Sequence, residues 1–275
     1  MKIDQNLIDE FDKNGAVCLR GVFEEKWIDT IRKGIEKNLV DPSSYSEFLK
    51  GTKGDGYYFD DYCNWKRIPE FYEYVFESPA AAIAGILVQS KTIAFYHEHV
   101  LVKEPGADKA TPWHHDQSYY PIDGEKACSI WMPVDEVPLE TTINFVAGSH
   151  KWGWFQPIKF ATTLPYKVLN EKTGEKVYNP VPDIEANKDK YNILCWSLKP
   201  GDCIVFHMKT LHGAPGNSSL ERSRRVLSTR WLGDDAVLAE RPWDISPPVV
   251  GGLNPGDKVV SSKSNDFPVV WRRED

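Results

Sequence analysis

The chain lacks any apolar run long enough to span a membrane, so no transmembrane helix is expected in its 275 residues. Cysteine is scarce and scattered. Cys18, Cys63, Cys128, Cys195 and Cys203 are odd in number and include no Cys-x-x-Cys pair, which argues against a disulfide framework or a zinc ribbon and makes a reducing cytoplasm the expected compartment. Positive charge is in deficit: 33 Lys and Arg stand against 40 Asp and Glu, a net charge of -7. The tightest basic cluster, Arg222, Arg224 and Arg225, is no surface for a polyanion, so neither nucleic acid nor a membrane is an expected partner. Internal repeats and low-complexity tracts are absent. The acidic start, with Asp4, Asp9, Glu10 and Asp12, is unlike a secretory or organellar leader, and the last residues carry no peroxisomal or endoplasmic-reticulum address.

Aromatics, by contrast, are plentiful: 10 Trp, 12 Tyr and 12 Phe point to sheet surfaces and an aromatic-lined pocket rather than a helical bundle. Leu7, Ile8 and Phe11 recur at helical spacing, 16–19 reads as a strand and 24–39 as a second helix. Residues 41–66 read either as a surface loop with an aromatic edge packed down or as a pocket-lining segment, and 69–87 as one helix. From 92 onward strand signals dominate, at 92–102, 127–134, 142–146, 193–197, 203–206 and 225–231. Helices first and short strands later predict a mainly β protein, a double-stranded β-helix (jelly-roll) core with N-terminal helices packed against it. We read 1–275 as a single domain with a long insertion at about 151–190, either a lid or substrate loop or a plain surface excursion, and an irregular tail from 241.

The chemistry concentrates in Trp113-His114-His115-Asp116. In an extended segment His114 and Asp116 share one face and His115 takes the other. One distant histidine would complete the 2-His-1-carboxylate triad of non-heme Fe(II) oxygenases, which leaves one face of the metal open. His212 fits, because Gly213 and Pro215 let the backbone turn just after it. Arg224 follows on the next strand, with the fork geometry that clamps a carboxylate. A competing site is His97, His99 and Glu104, similar to the first ligand motif of cupins, although Lys91 and Thr111 stand where its bracketing glycines belong.

Together these pieces resemble the phytanoyl-CoA dioxygenase family of Fe(II)/2-oxoglutarate-dependent oxygenases. The likeness runs from about residue 11 to about residue 235 and is carried by 100–105, 113–116, 131–137, 148–150, 200–202, 206–207, 212–213 and Arg224. It implies a hydroxylase that consumes 2-oxoglutarate and O2 and releases succinate and CO2, with His114, Asp116 and His212 holding Fe(II). It further implies Arg224 on the distal carboxylate of 2-oxoglutarate and Trp131 and Val100 lining that pocket. Ala214 stands where many members carry a hydroxyl, and a one-residue-longer loop makes Arg225 a rival to Arg224. Asp116 is kept where related halogenases have a small residue, which favours hydroxylation. The expected substrate is a small polar molecule, with a cationic one among the candidates, because Tyr57, Tyr58, Tyr62, Trp113, Tyr119 and Tyr120 with Asp60 and Asp61 offer aromatic faces and negative charge. Among these, Tyr58, Asp60, Trp113 and Tyr119 are the expected substrate contacts. The alternatives are a jelly-roll that binds metal and 2-oxoglutarate without turnover, and the cupin-like enzyme.

Overall fold

The computed structural model describes residues 2–53, 55–169, 176–261 and 264–273. Helix α1 (Gln5–Asn14) stops at Gly15, whose φ of 77° is left-handed. A Cβ there would collide with His150 and Thr210, so both the turn and the close approach require glycine. Strand Ala16–Leu19 follows, and then α2 (Glu25–Val40), which buries Trp27, Ile28, Ile31 and Ile35 on one stripe. The reading of 41–66 as a loop is corrected. Strands Glu47–Lys50 and Tyr57–Tyr62 form an antiparallel pair inside it, because Tyr58, Asp60 and Tyr62 turn to one face and Phe59 and Asp61 to the other. The single helix expected at 69–87 is two, α3 (Pro69–Glu77) and α4 (Ala80–Leu87). Pro79 lacks an N–H and forces Ser78 into an extended conformation, which ends the first helix.

One eight-stranded sheet runs in the order Ala16–Leu19, Cys203–His207, Ala127–Pro133, Arg224–Leu232, Thr92–Lys103, Tyr57–Tyr62, Glu47–Lys50. The tail is less irregular than expected, since Val269–Arg272 pairs with the first residues of Thr92–Lys103 and supplies the eighth strand. Facing this sheet is a smaller one, ordered Ile193–Leu194, Asn144–Val146, His212–Ala214, Thr111–His114. The two make the jelly-roll. On the outer face, Phe95, Val100, Ile130, Val205 and Trp231 pack against Trp27, Ile31, Phe71 and Ile83 of the helices. Each such side chain contributes roughly 1.5–3 kcal/mol by leaving water. Between the sheets, Trp131, Phe145, Phe206 and Val226 form a second cluster beside the site.

Within the insertion, Trp154–Phe155 pairs in parallel with Tyr178–Asn179, while 170–175 lie outside the described residues. The Tyr119 hydroxyl donates to Ile158 O at 2.7 Å and accepts from Ile158 N at 2.9 Å, which pins the insertion over the space between the sheets. Among the described residues no helix is long and apolar enough to cross a membrane.

Candidate active site

His114 closes its strand, His115 is extended (φ -122°, ψ 144°) and Asp116 opens a 3-10 helix, Asp116–Tyr119. The expected alternation therefore holds across the strand end. His114 and Asp116 turn inward, and His115 packs outward against Trp154 and Phe155, its Nε2 accepting from Phe155 N at 3.3 Å. His212 opens the neighbouring strand directly opposite His114 in register. The Nε2 atoms of His114 and His212 stand 3.6 and 3.7 Å from Asp116 Oδ1. Ligand atoms of all three lie within 4.8 Å of one another.

This donor set fits a metal. His114 Nδ1 is 2.8 Å from Pro112 O and His212 Nδ1 is 2.9 Å from Thr210 O, so each ring donates to backbone through Nδ1 and keeps the Nε2 lone pair for the centre. Burial, with His114 alongside, draws His212 down to about 3, which leaves it neutral at physiological pH. Burial pushes the Asp116 carboxyl up, but Arg230 and the two histidines outweigh it and hold the group well below the usual range. Ser129 Oγ donates to Asp116 Oδ2 at 2.8 Å and Arg230 Nη2 stands 3.3 Å from it, so Oδ1 is left for the centre. The reading of the sequence missed Arg230. Its signal was present, because Arg230 lies six residues after Arg224 on one regular strand and therefore shares its face.

The triad opens into a cavity of about 340 Å³ between the sheets. Arg224, Trp131, Tyr58, Asp60 and Tyr119 line it, together with Arg230, Leu101 and Ala214. The Arg224 guanidinium donates to Thr141 O, lies 5.9 Å from the Trp131 ring centre, and is drawn by burial down to about 10, still charged at neutral pH. Arg225 points the other way, bound to Asp135 through Nε (2.9 Å) and Nη2 (2.7 Å), so Arg224 is the one inside. Two expected residues are corrected. Val100 lies on the helix-packed face and its neighbour Leu101 faces the cavity; Trp113, adjacent to His114, turns outward and donates to Glu185 at 3.2 Å. Strand alternation accounts for both. Tyr57 and Asp61 also face away; Asp61 is held by Asn38 and the Ser43 and Tyr62 amides.

The sequence model of the family described as phytanoyl-CoA dioxygenase matches residues 11–226. The chain belongs to the phytanoyl-CoA dioxygenase family. It is thus an Fe(II)- and 2-oxoglutarate-dependent dioxygenase by class. A curated Caenorhabditis elegans protein, a probable phytanoyl-CoA dioxygenase, is 21% identical over 304 residues, covering 95% of this chain and 88% of its own. Among solved structures, the non-heme alpha-ketoglutarate-dependent carbocyclase SnoK from nogalamycin biosynthesis is 20% identical, with a TM-score of 0.72 and coverage of 98% of this chain and 97% of its own. The epimerase SnoN, solved with Fe3+, alpha-ketoglutarate and nogalamycin RO, is 22% identical, with a TM-score of 0.70 and coverage of 97% and 98%. These structures share the fold of this family member.

The cupin-like alternative does not assemble. Among the described residues His97, His99 and Glu104 form no metal-binding group. A one-residue bulge in Thr92–Lys103, between Phe95 and Glu98, breaks the alternation. His97 is fully buried, His99 Nδ1 lies 3.0 Å from Asp60, and Glu104 accepts from Ser223 at 3.0 Å.

Proposed function

We propose that the enzyme hydroxylates an unactivated C–H bond of a small polar metabolite, with His114, Asp116 and His212 holding Fe(II) and Arg224 holding the distal carboxylate of 2-oxoglutarate. The observation that carries this reading is the cavity. At about 340 Å³ it sits at the low end of ligand pockets, roughly 300–1,000 Å³, and it has to accommodate the cosubstrate and the reacting end of the substrate together.

When bound, Fe(II) supplies an open coordination face for O2 and 2-oxoglutarate. The protein's part is positional and electrostatic. Ser129 and Arg230 fix Asp116 so that Oδ1 faces the two Nε2 atoms. Arg224 keeps its charge and presents its remaining donors to a carboxylate beside Trp131. Tyr58 and Thr111 bring hydroxyls to the same part of the cavity, and Thr111 stands opposite Ala214 in register, where the family's usual hydroxyl is missing. Tyr58 is accordingly reassigned from substrate to cosubstrate. Tyr119 and Phe160 cover the edge of the His114 ring, restricting water, and Asp60 faces the substrate side. A panel of small polar metabolites, supplied with Fe(II) and 2-oxoglutarate, is expected to contain one class whose hydroxylation is matched by succinate release. Turnover stimulated by acyl-CoA thioesters and by no small metabolite would overturn the proposal.

A further inference from the structure

Lys103 ends the strand Thr92–Lys103 and is 1% exposed. It stands directly opposite Tyr58 on one neighbouring strand and directly opposite Arg224 on the other. Residues opposite in register share a face of the sheet, and both Tyr58 and Arg224 line the cavity, as do His99 and Leu101 at the alternate positions before Lys103. Tyr58, Lys103 and Arg224 therefore form one row across the large sheet, at the end of the cavity that Arg224 occupies. Lys103 Nζ lies 4.8 Å from the centre of the Tyr58 ring, within cation–π range, and donates to Pro215 O at 2.8 Å, just beyond the strand that His212 opens. Lys103 thus braces Tyr58 on one side and the backbone after His212 on the other.

The row carries two cations and no anion. Arg224 donates to a backbone carbonyl, Thr141 O, and Lys103 to another, so among the described residues neither meets a carboxylate. The charges that reach Lys103 are those of Arg224 and Lys109, and burial together with them draws its ammonium well below its ordinary value. Like charges directly opposite each other weaken a sheet, and a buried cation is costly until an anion meets it. An enzyme of this class holds a dianion, 2-oxoglutarate, in its working state. We infer that Lys103 is a positioning residue for that cosubstrate: it fixes the Tyr58 ring beside Arg224 and adds a second positive charge behind the distal carboxylate. This rests on the reading of Arg224 as the holder of that carboxylate. It also gives Lys103 a part in choosing a dicarboxylate over an oxo acid with an uncharged tail.

The test uses the full chain loaded with Mn(II), so that no turnover is needed, and measures 2-oxoglutarate by titration calorimetry. Competition by 2-oxopentanoate, which has the same oxo-acid head and no distal carboxylate, is measured alongside. Lys103→Met removes the charge and the donor, while Lys103→Gln removes the charge and keeps a donor for Pro215 O. Both are expected to weaken 2-oxoglutarate roughly tenfold, as loss of a charged partner does, and to leave Mn(II) affinity and 2-oxopentanoate competition as in the wild type. Tyr58→Phe, which keeps the ring and loses the hydroxyl, should weaken 2-oxoglutarate by a smaller factor. Unchanged 2-oxoglutarate affinity in both Lys103 variants would overturn the inference and leave the Arg224 reading intact. So would an equal loss of Mn(II) or 2-oxopentanoate, or failure of both variants to fold, since Lys103 would then serve only to hold the loop at Pro215. Failure of the wild type to bind 2-oxoglutarate at all would remove the cosubstrate reading with it.

Discussion

Asp116 shows how single residues divide the labour of the site. One carboxylate oxygen is held by Ser129 and Arg230, and the other faces two imidazoles whose tautomers are set by backbone carbonyls. The paired arginines divide in the same way, and they give a sharp prediction. Arg224→Gln removes a charged clamp inside the cavity, and calorimetry should find 2-oxoglutarate bound about 10–100-fold more weakly. Arg225→Gln breaks a largely buried, bidentate pair with Asp135, costing about 1–3 kcal/mol of stability and leaving 2-oxoglutarate affinity unchanged. The reverse pattern would exchange their roles. Much of this was legible from the sequence, because alternation is a local rule: it separates His114 from His115 and Arg224 from Arg225 without knowledge of the fold. Applied consistently, the same rule places Trp113 outside, Leu101 rather than Val100 inside, and Arg230 beside Arg224. Residue likeness to a family, used without the rule, misplaced Val100.

Elements were harder to read where tertiary pairing overrides local signals. The Tyr57–Tyr62 strand lies among Ser, Gly and charged residues that suggest a loop, and it becomes a strand because Thr92–Lys103 offers it an edge. The bulge in Thr92–Lys103 has no sequence signal, yet it breaks the strand's alternation between Phe95 and Glu98. Next to that bulge, Glu98 is fully buried and accepts the backbone amides of Asn64 and Trp65, fastening the turn before α3 to the sheet. Burial pushes its carboxyl up to about 8, against about 4.3 in an unfolded chain. The unfolded chain therefore holds fewer protons between those values, and stability due to this group falls as pH rises from about 4.3 to about 8, then levels off. Melting temperatures across that range should show a downward slope that Glu98→Gln flattens. An identical slope in the variant would mean that Glu98 does not ionise there.

At the scale of the molecule, strands late and helices early were enough to anticipate a jelly-roll with helices on one face, since two sheets with one apolar face each and an amphipathic helical layer have few ways to pack. What composition cannot convey is that the inner surface between the sheets is only partly filled. Phe145, Phe206 and Val226 close part of it, and the remainder is a cavity in which two buried arginines and the triad meet. Everything proposed for this enzyme depends on that meeting point being the metal centre. The direct measurement is the stoichiometry of anaerobic Fe(II) binding, with 2-oxoglutarate titrated afterwards, for wild type, His114→Ala and His99→Ala. Wild type and His99→Ala should each bind one Fe(II) per chain and then 2-oxoglutarate, and His114→Ala should bind neither tightly. Full Fe(II) binding by His114→Ala, or its loss in His99→Ala, would contradict the assignment.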